Sequence, residues 1–310
     1  MNIVKYEAKS KNIWNDFVKN SKNGTFLLDR NYMDYHSDYF VDHSLMFYDE
    51  EKLLAIMPAS MHGDELISHE GLTYGGVICS RRMTMLEMLS VFSSLKGYMG
   101  GNGISKLIYK RIPSIYYTYP SDEDLYALFV NEAKLIRRDA STTISLANRI
   151  PFAKGKKWGM NKAKQANVSV CEFHDFDTFF ECENKILMQK YKTNAVHTAD
   201  EMRMLASRFP NNIKMLGGFL DNEFLAGTII FKTDMVVHTQ YIATTELGRE
   251  LSAMDLVVDS IISSCYNSNI KYLDFGISTE QNGRYLNQGL VRQKEMFGGR
   301  AVVYDSYEFK

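Results

Sequence analysis

The stretch from Ile213 to Asp274 reads IKMLGGFLDNEFLAGTIIFKTDMVVHTQYIATTELGRELSAMDLVVDSIISSCYNSNIKYLD. Its spacing predicts strand Ile213–Leu220, a tight turn at Asp221–Asn222, strand Glu223–Phe231, a turn at Lys232–Asp234 and strand Met235–Ala243. The turns carry the Asp, Asn, Lys and Thr of hairpins. The strands are rich in Ile, Val, Phe, Thr and Tyr, which suit a pleated surface. Period two puts Val237, Thr239, Tyr241 and Ala243 on one face of the third strand, and Val236, His238, Gln240 and Ile242 on the other. A polar loop, Thr244–Leu251, leads into helix Ser252–Asn267. Its Met254, Val257, Val258, Ile261 and Cys265 form one apolar stripe, flanked by Asp255, Asp259 and Ser263. Ser252 is its expected N-cap. Strand Tyr272–Phe275 follows. The order is an antiparallel meander, a crossover helix, and a strand parallel to the last meander strand. A helix entered this way presents backbone N–H groups that attract anions such as phosphate.

Upstream, a break near Asn148–Pro151 precedes a basic helix, Ala153–Asn167, strand Val168–Phe173, and helices Phe176–Tyr191 and Asp200–Phe209. Downstream come a polar loop, Ser278–Arg284, a short helix near Leu286–Met296, a turn at Gly298–Gly299 and strand Ala301–Glu308. The first half reads as strand Ile3–Tyr6, helices Ser10–Asn20 and Arg30–Tyr39, then strands Ser44–Tyr48, Lys52–Ala59, Glu65–His69 and Leu72–Ile78. Helix Thr84–Met99, strand Lys106–Ile112, helix Asp122–Ala133 and the β segment Leu135–Leu146 complete it. The second half thus repeats the element order of the first, without a close sequence repeat.

The 310 residues are enough for two domains. Charge is balanced, with 36 basic and 37 acidic residues, so no general nucleic-acid-gripping surface is implied. Lys154, Lys156, Lys157, Lys162 and Lys164 concentrate positive charge locally. Such a helix suits a phosphorylated acceptor, a tRNA or an acidic membrane surface, or is simply a solvated face. Cys79, Cys171, Cys182 and Cys265 form no C-x-x-C pair, and most sit among apolar residues. They read as reduced thiols of a cytoplasmic protein, with no metal site. No apolar run approaches bilayer length.

Four places make the second half resemble the GNAT acyltransferases, in the doubled-fold branch with the FemABX-type aminoacyl transferases. They are the basic helix ending Asn161-Lys162-Ala163-Lys164, the strand Glu223–Phe231, the strand, loop and helix Tyr241–Asp255, and the run from Tyr272-Leu273-Asp274-Phe275-Gly276 to Lys294-Glu295-Met296-Phe297-Gly298. The resemblance implies an α/β (α+β) chain of two tandem GNAT-like domains, 1–150 and 151–310. Each would be a mixed, mostly antiparallel sheet flanked by helices. It also implies a donor groove where strands Met235–Ala243 and Tyr272–Phe275 splay apart.

The implied activity is transfer of an acyl group from acyl-CoA (acetyl-CoA) to an amine of a sugar or small polar acceptor. Two alternatives are a FemABX-type transfer from aminoacyl-tRNA to a cell-wall precursor or peptide, and a catalytically silent binding module. The family's phosphate loop resembles Arg/Gln-x-x-Gly-x-Gly/Ala. Here Glu246, Gly248 and Glu250 occupy that region and the second small residue is missing, as on the FemABX side of the branch. Donor-binding candidates are Gly248, Arg249, Leu251, Ser252 and Ala253, unless this is a plain capped loop.

Acyl transfer needs a held donor, a stabilised oxyanion and a deprotonated acceptor. Lys294 is placed by the resemblance near the reaction centre as a fixed cation; as a bare helix residue it would be solvated. Asp274, inside an apolar strand, orients the site, acts as base, or bonds the next loop. Tyr241 completes the catalytic candidates, and His238, facing the other side of its strand, is read as a satisfied strand histidine. Glu280, Asn282, Arg284, Tyr285 and Asn287 form a polar loop suited to a sugar or peptide acceptor, or an ordinary surface loop.

Overall fold

The computed structural model describes all residues except Ser37, Tyr266 and Asn267, and the side chains of His36 and Tyr191. The chain forms two compact units. The first comprises residues 1–140, 279–285 and 302–310, and the second 141–278 and 286–301. Two features depart from the expected division at 150. The strand Lys134–Ser145 runs out of the first unit into the second, and the closing strand Arg300–Phe309 returns to the first. Neither has a Gly/Pro break, so composition gave no mark of either crossing.

In the first unit, strands Asn2–Lys5, Leu45–Asp49, Lys52–Met57 and Ile78–Cys79 form one antiparallel sheet. Val41–Asp42, Ser60–His62, Glu65–Ile67, Lys106–Lys110 and residues 306–309 of the closing strand supply further pairings. Glu65–Ile67 with Lys106–Lys110 is parallel. The helix Met85–Gly101 starts at a capping box between Thr84 and Glu87. It buries Val91, Phe92 and Leu95 against Phe47, Leu54, Leu107 and Phe309. Two expected elements are shorter. Of Leu72–Ile78, only Ile78 lies in a strand, and helix Arg30–Tyr39, which includes the undescribed Ser37, ends as an α-helix at Met33.

In the second unit the order across the sheet is Ser169–Glu172, Ile213–Leu220, Glu223–Lys232, Val236–Thr244, Tyr272–Ile277 and the end of Lys134–Ser145. The Val236–Tyr272 contact is parallel and the other pairings are antiparallel. On one face lies the helix Ala253–Cys265, whose Val257, Val258 and Ile261 pack with Ile230, Val237 and Leu273. The basic helix, Lys154–Gln165, packs beside it. There Gly159 permits a close approach, since a Cβ would lie 2.4 Å from Asp255 Oδ2. Lys156 pairs with Asp255 at 2.7 Å and Lys162 donates to the Glu250 carbonyl, so part of the basic run is structural. Helix Phe176–Tyr191 packs on the strand Val236–Thr244, with Phe180 against Tyr241.

Two local expectations are corrected. Residues Glu246–Glu250 of the expected polar loop form a short helix, capped by Thr245, whose Oγ1 accepts from Gly248 N at 3.0 Å. Ser252 is in the left-handed region (φ 58) and is not the extended N-cap of the next helix, which begins at Ala253. The expected end of that helix, Asn267, lies outside the described residues; its last described helical residue is Cys265.

The faces of the strand Val236–Thr244 also differ from the expectation. Ile229 pairs with Tyr241, but Ile230 pairs with Thr239, leaving Gln240 as an unpaired extra residue. Ile229 and Ile230, being adjacent, point to opposite faces, and their partners follow them. His238, opposite Phe231, therefore shares the Tyr241 face, contrary to the strict alternation expected. Val237 and Thr239 remain on the side of helix Ala253–Cys265.

Candidate active site

Among the described residues, strands Val236–Thr244 and Tyr272–Ile277 pair through Val236–Tyr272, Val237–Leu273 and His238–Asp274. Past that point Val236–Thr244 continues along Glu223–Lys232, while Ile277 lies opposite Ser141. The two parallel strands thus part after three residue pairs, and His238 and Asp274 stand at the fork.

Asp274 is fully buried. Its Oδ1 accepts from Ser141 Oγ at 2.5 Å and Thr143 Oγ1 at 2.7 Å, and its Oδ2 lies 2.8 Å from His238 Nδ1. Burial pushes the carboxyl up. The hydrogen bond and charge of His238, with the two hydroxyls, outweigh that and hold it below its ordinary value. A buried carboxylate is tolerable here because three donors replace its water.

Lys294, on helix Gln288–Glu295, is also buried. Its ammonium donates to the carbonyls of Gly276 and Ile277, each at 2.8 Å. Burial pushes it down to about 8, with the Asp274 charge opposing. An ammonium has three N–H donors, so two carbonyls leave one for another acceptor. Ser278, which follows, is buried, and its Oγ makes no hydrogen bond among the described residues.

Tyr241 Oη lies 2.6 Å from His197 Nδ1 and accepts from the His197 backbone N–H at 3.3 Å. Burial pushes the phenol up to about 12, so it remains a hydroxyl at neutral pH. Glu183, one turn beyond Phe180 on the same helix, is buried, and burial pushes it up to about 7. Its charge also acts on Tyr241. His197 and Glu183 escaped sequence reasoning. A Glu three residues after Phe180, on a stripe with Phe176 and Phe179, was the available signal for the second.

The other predicted positions fall as follows. The amides of Gly248, Arg249, Leu251 and Ser252 bond within their own turns, to Thr245 Oγ1 and the carbonyls of Thr245, Leu247 and Arg249. Gly248 is buried against the neighbouring strand, and a Cβ there would lie 2.0 Å from the Leu225 carbonyl oxygen. Arg249 is exposed and Ala253 buried. Glu280, Asn282, Arg284 and Tyr285 are exposed and belong to the first unit, in a hairpin of Thr279–Glu280 with Tyr285–Leu286. Asn287 caps helix Gln288–Glu295 by accepting from Leu290 N. The structure therefore places Asp274 and Lys294 in one neighbourhood of the second unit, with Tyr241 further along the strand of His238.

Residues 159–285 match the family described as Acetyltransferase (GNAT) domain. No curated protein sequence matches the chain significantly. Among solved structures it is similar to FemX, with 10% identity over 98% of this chain and 97% of that one, at a TM-score of 0.69. It is also similar to L-PGS from Bacillus licheniformis, with 10% identity, coverages of 99% and 92%, and a TM-score of 0.65. A tandem GNAT protein from the clavulanic acid biosynthesis pathway aligns with 8% identity, coverages of 99% and 97%, and a TM-score of 0.52. These likenesses establish the fold. It is a doubled GNAT, FemABX-like fold, with mixed sheets flanked by helices. Among the described residues no helix is long and apolar enough to cross a membrane.

Proposed function

We propose that this chain is an N-acyltransferase of the cytoplasm. It moves an acyl group from an activated thioester or ester to an amine of a sugar or other small polar acceptor. The observation that carries this reading is the fork between the two parallel strands, with buried Asp274 and Lys294 at its base. A fork opens backbone groups that a continuous sheet would consume. Lys294 supplies a fixed cation where an oxyanion develops, and Tyr241 supplies a hydroxyl.

Two donors have support. The GNAT match over residues 159–285 favours a coenzyme A thioester, with Gly248–Ala253 as its phosphate contact. The internal bonding of four amides in that segment favours the other, an aminoacyl ester on tRNA, because a pyrophosphate needs unengaged N–H groups. Thermal-shift measurements with coenzyme A, acetyl-coenzyme A and alanyl-tRNA separate them. Stabilisation by one donor class selects it, and none with any would leave a binding module and remove the enzyme reading.

A further inference from the structure

An amine acceptor arrives at neutral pH as an ammonium, with no lone pair to attack a carbonyl. Acyl transfer therefore needs a base beside the acceptor nitrogen. Among the three catalytic candidates read from the sequence, Lys294 is committed as a donor to two carbonyls, and Tyr241 is a protonated phenol held to His197. Asp274 is sealed from solvent, with both oxygens engaged.

His238 differs from all three. Its Nδ1 is held by Asp274 Oδ2 at 2.8 Å, its Nε2 has no hydrogen-bond partner among the described residues, and its side chain is 15% exposed. It is the last residue paired before the strands part. Ser141 and Thr143 occupy Oδ1 of Asp274, which leaves Oδ2 for the ring. A carboxylate at Nδ1 fixes the tautomer with its proton there and directs the Nε2 lone pair outward. Gly276 keeps space beside that edge. It is left-handed (φ 74), and a Cβ would lie 3.2 Å from His238 Cε1 and 3.8 Å from Nε2.

We propose that His238 is the catalytic base that takes a proton from the acceptor ammonium, with Asp274 as its positioning residue. This role rests on the acyl-transfer reading. Nε2 accepts one proton from R–NH3+, giving R–NH2 and an imidazolium that later returns its proton to solvent. The amine lone pair then forms the C–N bond to the acyl carbon. As the intermediate collapses, the C–S bond of a thioester or the C–O bond of an ester breaks. The leaving atom takes the electron pair, and with it the second proton released from nitrogen.

The test compares wild type with His238→Asn, whose amide N–H keeps the bond to Asp274 but cannot accept a proton. Transfer from acetyl-coenzyme A and from alanyl-tRNA is measured to glucosamine and to hydroxylamine, whose nitrogen is already neutral near pH 7. We expect His238→Asn to lose roughly a hundredfold or more of the glucosamine rate. The hydroxylamine rate should stay within a few-fold of wild type. Unchanged glucosamine transfer, or an equal fall with both nucleophiles, overturns the base role while leaving the transferase reading intact. A wild-type protein inactive with every pair removes that reading and the base role together. Nitrogen-15 NMR checks the positioning without activity. The ring should be the Nδ1–H tautomer in wild type and lose that preference in Asp274→Asn; an Nε2–H ring in wild type overturns the proposal.

Discussion

At the scale of single residues, Lys294 joins chemistry and stability. Its ammonium is buried, and burial lowers it to about 8 from 10.5. Between those values the unfolded chain holds the proton and the folded chain does not, so stability rises with pH across that window. The rise should be on the order of 3 kcal/mol at most. Lys294→Met removes the titration and keeps the stem's bulk, so its stability should be flat there. Near neutral pH the two proteins should melt at similar temperatures, because losing two carbonyl contacts is offset by no longer burying a charge. Turnover should fall about a hundredfold, the worth of one preorganised oxyanion donor. In wild type the part of turnover that depends on this cation should decline above about pH 8. Urea melts and initial rates across pH check both. Wild-type turnover in Lys294→Met would remove the residue from the mechanism.

At the scale of elements, Gly248 has a packing role. It seats the short helix Glu246–Glu250 on the strand Glu223–Lys232, with the Leu225 carbonyl 2.0 Å from where a Cβ would stand. Gly248→Ala must push that helix off the strand and should cost roughly 1–3 kcal/mol. A urea midpoint unchanged from wild type would refute this close-packing role. The same region shows where the sequence was legible. Hairpin turns, the stripe of Val257, Val258 and Ile261, and the strand Tyr272–Ile277 follow from local periodicity, and all appear close to their expected positions. The bulge at Gln240 does not follow from periodicity. A single unpaired residue leaves hydrophobicity almost unchanged yet reverses every later side chain. That reversal hid the shared face of His238 and Tyr241. The partners Ser141 and Thr143 were hidden for a different reason: they lie more than 130 positions from Asp274, beyond any local pattern.

At the scale of the molecule, the chain's units do not coincide with its halves, and this has a consequence for cutting it. A chain of residues 151–310 follows the sequence break but omits Ser141–Ser145, which pairs with Tyr272–Ile277. Asp274 would then lose both of its hydroxyl donors. Hydrogen bonds to a charged group contribute about 1.5–3 kcal/mol each, so losing two is comparable with the lower end of an ordinary domain's stability, about 5 kcal/mol. The same fragment keeps Phe309, fully buried in the first unit's core against Phe92, with nothing to cover it. A chain of residues 141–301 avoids both faults. It retains Ser141, Thr143 and the six-strand order of the second unit, and ends before the closing strand returns to Leu107–Lys110. We expect 141–301 to unfold cooperatively by far-UV circular dichroism, and 151–310 to show no cooperative transition or to aggregate. Equal cooperative melting of the two fragments would mean that the edge strand and its two hydroxyls are dispensable for the fold of this unit.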